Sequence, residues 1–142
     1  MSDGISSQMS NQHSPKQKVL LAEDDASMRR FLEITLQRAG YDTVSAEDGL
    51  AAMKIALAEK FDAVVADAVM PNLTGHDLCR ILRQNEDFKT VPLIILSGLE
   101  QEISANVEQD CADTYMVKGA NLKEELTGNL AKLIAEKVNT KG

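Results

Sequence analysis

Five short apolar runs at similar intervals constrain the fold of this chain more than any other feature. They end near residues 22, 46, 67, 97 and 118, so successive ends are 24, 21, 30 and 21 residues apart. Each interval has room for one helix and two short loops, which is the spacing of repeated βα units. Because the runs are continuously apolar rather than alternating, they favour a parallel sheet covered on both faces. The sequence therefore predicts a doubly wound α/β domain, (βα)5, with a five-stranded parallel sheet and five helices.

Apolar residues at helical spacing fill the intervals after the first, second, third and fifth runs. The first of these helices is predicted to end at Gly40, since glycine commonly follows a helix C-terminus. The buried face of the second is predicted to consist of Leu50, Met53 and Leu57. The interval from 101 to 110 contains only two large apolar residues, so its helix is predicted to be the most exposed of the five.

Length and composition set the domain organisation. With 142 residues, 44% of them hydrophobic, the chain is expected to form one globular domain. Residues 1–17 are rich in Ser, Gln and Asn and predict a disordered tail, the domain is predicted over 18–139, and no output domain is expected. A net charge of −7 disfavours binding to nucleic acid or to an anionic membrane surface. Without a membrane-length apolar run or a signal-peptide pattern, a cytoplasmic location is predicted.

Two cysteines are present, Cys79 and Cys111, and their spacing is not that of a metal or redox motif. In a cytoplasmic protein they are expected to be reduced thiols. We therefore interpret both as small apolar core residues.

Polar and charged side chains follow four of the five strands. In open α/β sheets the ligand site lies outside the carboxyl ends of the strands, so these side chains are expected to converge. Clustered carboxylates repel one another unless a cation compensates them, and hard oxygen ligands that leave water sites free suit Mg²⁺. One carboxylate can also attack phosphorus to give an acyl phosphate, while an ammonium and a hydroxyl stabilise the transferring oxygens. The residues are Glu23, Asp24 and Asp25, then Asp67, then Ser97 and Gly98, then Lys118.

Four motifs carry these residues in a fixed order along the chain. They are Val-Leu-Leu-Ala-Glu-Asp-Asp25, Asp67-Ala-Val-Met-Pro71 with Gly75 beyond, Leu-Ile-Ile-Leu-Ser97-Gly98, and Asp-Thr-Tyr115-Met-Val-Lys118. Together they resemble the CheY-like receiver domain of response regulators, over about residues 18 to 138. The resemblance implies the flavodoxin-like receiver fold in a stand-alone, single-domain response regulator of a two-component or phosphorelay system.

The resemblance also implies a role for each acid. Asp67 would be the phosphoacceptor, and Glu23 and Asp24 would hold Mg²⁺ together with Asp67. The position of Val69, two residues after Asp67, would offer only its backbone carbonyl to the metal. Asp25 is expected to cap the first helix instead of binding the metal.

The remaining implied roles concern phosphoryl contact, switching and partners. Ser97 and Lys118 would contact the phosphoryl group, and Ser97 and Tyr115 would rearrange on activation. A sensor histidine kinase or a histidine phosphotransfer protein would be the upstream partner. A downstream protein would bind the face formed by the fourth helix, fifth strand and fifth helix. One departure from the family pattern is Gly119, where a proline usually follows the lysine.

Three alternatives to a phosphoacceptor switch belong to different function classes. A phosphatase of the haloacid dehalogenase type needs a second acid two residues after the nucleophile, and Val69 occupies that position. A flavodoxin-like nucleotide binder needs a glycine- or hydroxyl-rich loop after the first strand, where Glu23, Asp24 and Asp25 would repel phosphate. We therefore predict that the chain is not an enzyme. A degenerate receiver that binds partners without phosphorylation remains the alternative.

Overall fold

The computed structural model describes residues 16–98 and 111–141, and the statements below concern these residues. They form a five-stranded parallel sheet in the order β2-β1-β3-β4-β5. The predicted ends of the first four strands are confirmed, and the fifth strand ends one residue earlier than predicted. The strands are β1 (Lys18–Ala22), β2 (Asp42–Ala46), β3 (Ala63–Asp67), β4 (Leu93–Ser97) and β5 (Thr114–Val117).

Four α-helices and one short 3₁₀ turn at Glu86–Phe88 connect or follow these strands in the described residues. The helix predicted over 101–110 and the first fifteen residues of the predicted tail lie outside the described residues. In the described part of the chain, no helix is long and apolar enough to cross a membrane. The helices are α1 (Ala26–Arg38), α2 (Gly49–Ala58), α3 (Gly75–Arg83) and α4 (Leu122–Lys141).

Helices cover both faces of the sheet, which explains why its strands are continuously apolar. Successive residues of β1 illustrate this: Leu20 packs into the core under α2 and α3, whereas Leu21 packs into the core under α1 and α4. Every residue of β3 and β4 is buried. In the sheet, β2 lies on one side of β1 and β3 lies on the other, so the connections that follow β1 and β3 run in opposite directions. A crevice therefore opens between the carboxyl ends of β1 and β3.

Side-chain caps define where the helices begin. The Asp25 carboxylate accepts a hydrogen bond of 2.7 Å from the backbone N–H of Met28, which confirms its predicted role at the start of α1. The Thr74 hydroxyl accepts a hydrogen bond of 3.1 Å from the backbone N–H of Asp77 and so caps the N-terminus of α3. After α1, Gly40 takes a φ of 100°, a conformation that side chains disfavour, so the predicted helix stop is also confirmed.

The predicted buried face of α2 is wrong for Leu50 and Leu57, whereas Met53 is partly buried against the core as predicted. Leu50 and Leu57 are 39% and 59% exposed, whereas Ala52 and Ala56 are buried against the sheet. The reason is close packing, since a Cβ on Gly49 would lie 2.2 Å from the carbonyl oxygen of Leu73. Small residues let the helix approach the sheet and the loop after β3, and the larger leucines are left outside.

The prediction that both cysteines are reduced thiols is also wrong. Cys79 in α3 and Cys111, which precedes β5, form a disulfide with a Cα–Cα distance of 6.1 Å. The two residues are 32 positions apart, and only the packing of α3 against the start of β5 brings them together. Cys79 is fully buried, as predicted for a small core residue, while Cys111 is half-buried.

Candidate functional site

Asp67 is the last residue of the central strand β3, and its side chain is almost buried at the carboxyl edge of the sheet. Burial raises the pKa of its carboxyl, and the nearby backbone N–H of Val69 is among the groups that partly oppose this rise. The loop after Asp67 turns back closely, because the N–H of Gly75 donates to the carbonyl of Ala68 at 3.1 Å. A Cβ on Gly75 would lie 2.4 Å from the Asp67 carbonyl oxygen, so only glycine fits at the start of α3.

Glu23 and Asp24 follow β1, the strand beside β3, and their carboxylates join that of Asp67. One ligand atom from each of the three acids lies within 4.8 Å of the others. Glu23 is 1% exposed and its carboxylate accepts from the N–H of Asp25 at 3.1 Å, whereas Asp24 is exposed. Three carboxylate oxygens this close can reach one cation, and a partly open set of hard oxygen donors fits Mg²⁺.

Lys118 extends into this acidic cluster from the residue after β5. Its Nζ lies 3.0 Å from Glu23 Oε1 and 3.1 Å from Asp67 Oδ1, with 17% of the side chain exposed. The backbone N–H of Lys118 donates to the carbonyl of Ser97 at 2.8 Å, which fixes the ends of β4 and β5 side by side. The lysine therefore bridges the two buried acids while its backbone is held by the neighbouring strand.

Burial and charge act in opposite directions on the ionisable groups of the cluster. Burial raises the pKa of Glu23 and of Asp67, while the hydrogen bonds and the charge of Lys118 partly oppose this rise. Burial lowers the pKa of Lys118, but Glu23 and Asp67 outweigh that effect and raise the lysine pKa overall. One lysine thus faces three acids, and a divalent cation would favour the ionised carboxylates over the protonated ones.

Ser97 ends β4 and is 1% exposed. It lies in register with Val117 of β5, and the preceding residue Leu96 lies in register with Asp67. The parallel sheet therefore brings Ser97 to the same edge as Asp67 and Lys118, as the sequence predicts. Val69 lies in the loop after Asp67 with 60% of its side chain exposed.

Tyr115 lies within β5, two residues before the end of the strand, and stacks on a residue that the sequence analysis missed. Its ring centroid is 5.6 Å from that of His76, in the first turn of α3, with an interplanar angle of 23°. Within residues 16–98 and 111–141, neither the Tyr115 hydroxyl nor the His76 Nδ1 has a hydrogen-bond partner. In the sequence, only the position of His76 directly after Gly75, at a tight turn, could have indicated that it lies near the site.

A second contact missed from the sequence ties α2 to the loop after Asp67. Asp48 caps α2 through the N–H of Ala51 at 2.8 Å and also accepts from Asn72 Nδ2 at 3.0 Å. Asn72 has a φ of 72°, a left-handed conformation that asparagine tolerates better than most residues. The loop is therefore held at Asn72 as well as at Gly75.

Comparison with known proteins gives a consistent result. The family model of the response regulator receiver domain matches residues 19–129. Over 109 residues the chain is 40% identical to a probable transcriptional regulator, ycf27, of Porphyridium aerugineum, which covers 77% of this chain and 45% of that protein. It is 33% identical over 110 residues to the response regulator ArlR of Staphylococcus saprophyticus, covering 77% and 49%. The chain thus spans about half the length of these curated relatives.

A solved structure is similar to this chain over most of its length. The receiver domain of a sensor histidine kinase from Pseudomonas aeruginosa superimposes with a TM-score of 0.79 at 29% sequence identity. The match covers 85% of this chain and 99% of that domain, whose structure has a magnesium ion coordinated in the active-site cleft.

Proposed function

This chain belongs to the response regulator receiver domain family, and from that premise we propose that it accepts a phosphoryl group on Asp67. Mg²⁺ would be held by Glu23, Asp24 and Asp67, with the backbone carbonyl of Val69 as a further ligand. The signal would leave by contact with another protein or by onward phosphotransfer. The observation that carries the proposal is the bridging of Glu23 and Asp67 by Lys118 at 3.0 and 3.1 Å.

Asp67 is the best candidate nucleophile among the three acids. It ends the central strand, between the acids that follow β1 and Ser97 at the end of β4. Glu23 is more deeply buried and already accepts from the N–H of Asp25, while Asp24 is exposed. Asp67 therefore lies between the acids of the metal-ligand set and the strand ends that carry Ser97 and Lys118, the two groups proposed to contact phosphate.

The chemistry assigned to these residues is a phosphoryl transfer. A carboxylate oxygen of Asp67 forms the new bond to phosphorus, the bond from phosphorus to the donor breaks, and the leaving group takes the electron pair. The Lys118 ammonium and the Ser97 hydroxyl would stabilise negative charge on the transferring oxygens. Bound Mg²⁺ would supply further charge neutralisation at the same oxygens.

Activation is proposed to shift a population rather than to create a new shape. A phosphoryl group on Asp67 would draw Ser97 toward it and allow Tyr115 to turn inward. The output surface would include β5, α4 and residues 101–110. Amide chemical shifts with and without beryllofluoride, a phosphoryl mimic, test this step, and changes confined to the loop after Asp67 would contradict it.

The proposed partners follow from the same role. A sensor histidine kinase or a histidine phosphotransfer protein would supply the phosphoryl group, and a downstream protein would read the output surface. These steps are proposed to take place in the cytoplasm, without direct contact between the described residues and nucleic acid. No second acid lies two residues after Asp67, so we propose a switch rather than a phosphatase.

Labelling with acetyl phosphate and Mg²⁺, followed by intact-mass spectrometry, tests the proposed site. The wild-type protein is expected to gain one phosphoryl group, and Asp67→Asn none. Asp42→Asn is the matched control, because Asp42 is an exposed acid at the opposite end of the sheet. Undiminished labelling of Asp67→Asn would contradict the proposal. Partner binding that survives in Asp67→Asn with full strength would favour the phosphorylation-independent alternative.

A further inference from the structure

One face of α3 contacts residues 111–115, the segment that leads into β5, at both ends and the middle of the helix. His76, Cys79 and Arg83 lie at positions i, i+3 and i+7, which share one side of a helix. His76 stacks on Tyr115, and Cys79 is joined to Cys111. The Arg83 Nε–H donates to the carbonyl of Cys111 at 3.1 Å. The disulfide is therefore the central one of three contacts between these two elements.

Arg83 holds the Cys111 backbone in place without help from the sulfurs. Its other guanidinium nitrogens donate to the carbonyl of Phe88 at 2.9 Å, the carbonyl of Val91 at 2.7 Å and the carboxylate of Asp113 at 3.0 Å. None of these bonds involves a sulfur atom. With the disulfide opened, the thiols would remain neighbours, and the Cα–Cα distance of 6.1 Å suits a bond that re-forms without backbone movement.

The two sulfur-bearing residues differ in access to solvent. Cys79 is fully buried, whereas Cys111 is half-buried. An external thiolate that attacks Cys111 Sγ breaks the bond to Cys79 and releases its thiolate. A second external thiolate then attacks the outer sulfur of the mixed disulfide, which frees the Cys111 thiolate and leaves as a small disulfide. Because exchange requires access to only one sulfur, the buried partner does not prevent it.

We propose that Cys79 and Cys111 form a reversible redox site that is closed by a low-molecular-weight disulfide and opened by a low-molecular-weight thiol. In closure, the Cys111 thiolate attacks one sulfur of the small disulfide and releases one small thiolate. The Cys79 thiolate then attacks Cys111 Sγ in the mixed disulfide and releases the second. The two cysteines lose two electrons, the small disulfide gains them, and the two protons pass to the released thiolates.

The closed site restrains the strand that carries Tyr115. It ties Cys111 to α3 while Tyr115, four residues later, stacks on His76 of the same helix. This consequence rests on the proposed function, in which binding at Asp67 requires Tyr115 to rearrange. A bond that favours the arrangement without a phosphoryl group must weaken binding of the phosphoryl mimic, because a ligand shifts an equilibrium only by its differential affinity.

Titration of Mg²⁺ with beryllofluoride into the oxidised and reduced wild-type protein tests the inference. We expect the reduced protein to bind at least about five-fold more tightly, the lower end of usual allosteric couplings. Cys79→Ala/Cys111→Ala is the matched control and should bind like the reduced protein with or without reductant. Alkylation followed by mass spectrometry verifies that the disulfide is reduced. If the double variant fails to fold, the comparison of oxidised with reduced wild type still tests the inference, because it needs no substitution.

The outcomes separate this inference from the proposed function. Equal affinity in the oxidised and fully reduced proteins would overturn the redox coupling while leaving phosphorylation of Asp67 intact. A Cys79–Cys111 disulfide that low-molecular-weight thiols cannot reduce in the folded protein would overturn the reversible site itself. Absence of beryllofluoride binding in both states would instead contradict the proposed function on which the coupling rests.

Discussion

Replacing Lys118 by methionine removes the only positive charge that the structure places within ion-pair distance of Glu23 and Asp67 in the described residues. Methionine keeps much of the length of the lysine stem, so the change is mainly one of charge. Burial already raises the pKa of both acids, and loss of the lysine removes the largest of the factors that oppose that rise. At neutral pH the variant must either keep two poorly compensated charges or take up protons to fold.

The loss of stability expected for Lys118→Met can be estimated from the burial of the three charged side chains. Glu23 is 1% exposed and the side chains of Asp67 and Lys118 are 10% and 17% exposed, so screening by solvent is limited. Removing one partner of a buried ion pair costs about 3–5 kcal/mol. Proton uptake by the raised acids lowers this cost, and we expect a loss of about 3 kcal/mol near neutral pH.

The sign of the pH dependence follows from linkage. An acid whose pKa is raised on folding stabilises the fold at low pH, and this stabilisation is lost as the pH rises through the folded-state pKa. At about pH 4 the raised acids are closer to protonation than at neutral pH, so the lysine matters less there. The difference between Lys118→Met and wild type should therefore shrink on acidification.

Urea unfolding at the two pH values measures this difference. Lys89→Met is the matched control, because Lys89 pairs with Glu86 on the surface with 64% of its side chain exposed. That control should cost less than about 1 kcal/mol at either pH. A Lys118→Met loss that is as small as the control, or equal at both pH values, would refute this reasoning about the cluster.

Three further predictions concern the metal, the disulfide and the loop. Mg²⁺ should raise the melting temperature more as the pH increases through the raised pKa values of Glu23 and Asp67, because protons and metal compete for the carboxylates. Asp24→Ala should reduce the Mg²⁺-induced increase in melting temperature, and an unchanged increase would contradict the metal site. Reduction of the disulfide, which spans 32 residues, should lower the free energy of unfolding by about 3–4 kcal/mol in urea titrations, and no change would contradict the entropic account. Gly75→Ala should cost about 1–3 kcal/mol by the same assay and slow labelling of Asp67, because the added Cβ collides with the Asp67 carbonyl.

Much of the fold and of the site could be predicted from local pattern. The apolar runs are buried on both faces, so they mark the strands, and Asp67 and Ser97 stand at strand ends that a parallel sheet brings to one edge. Asp25 was predicted as a cap because its chemistry is local to the start of α1. These features depend on residues close in sequence or on the topology alone.

The features that could not be predicted depend on tertiary packing. The exposed Leu57 and buried Ala56 of α2 are decided by how closely the helix approaches its neighbours, which apolar periodicity does not record. The Cys79–Cys111 disulfide joins positions 32 residues apart, and nothing in their spacing indicates the pairing. His76 contacts Tyr115 only because α3 packs beside β5, so neither residue alone predicts the stack.

Locating the acyl phosphate by chemical trapping tests the central claim most directly. Borohydride reduces an aspartyl phosphate to homoserine, which peptide mass spectrometry can assign to one position. After treatment with acetyl phosphate and Mg²⁺, we expect homoserine at residue 67 and at no other aspartate, with none formed when Mg²⁺ is chelated. Trapping at Asp24 or another acid, or absence of any trapped product under conditions that keep the protein folded, would contradict the assignment of Asp67 as the phosphoacceptor.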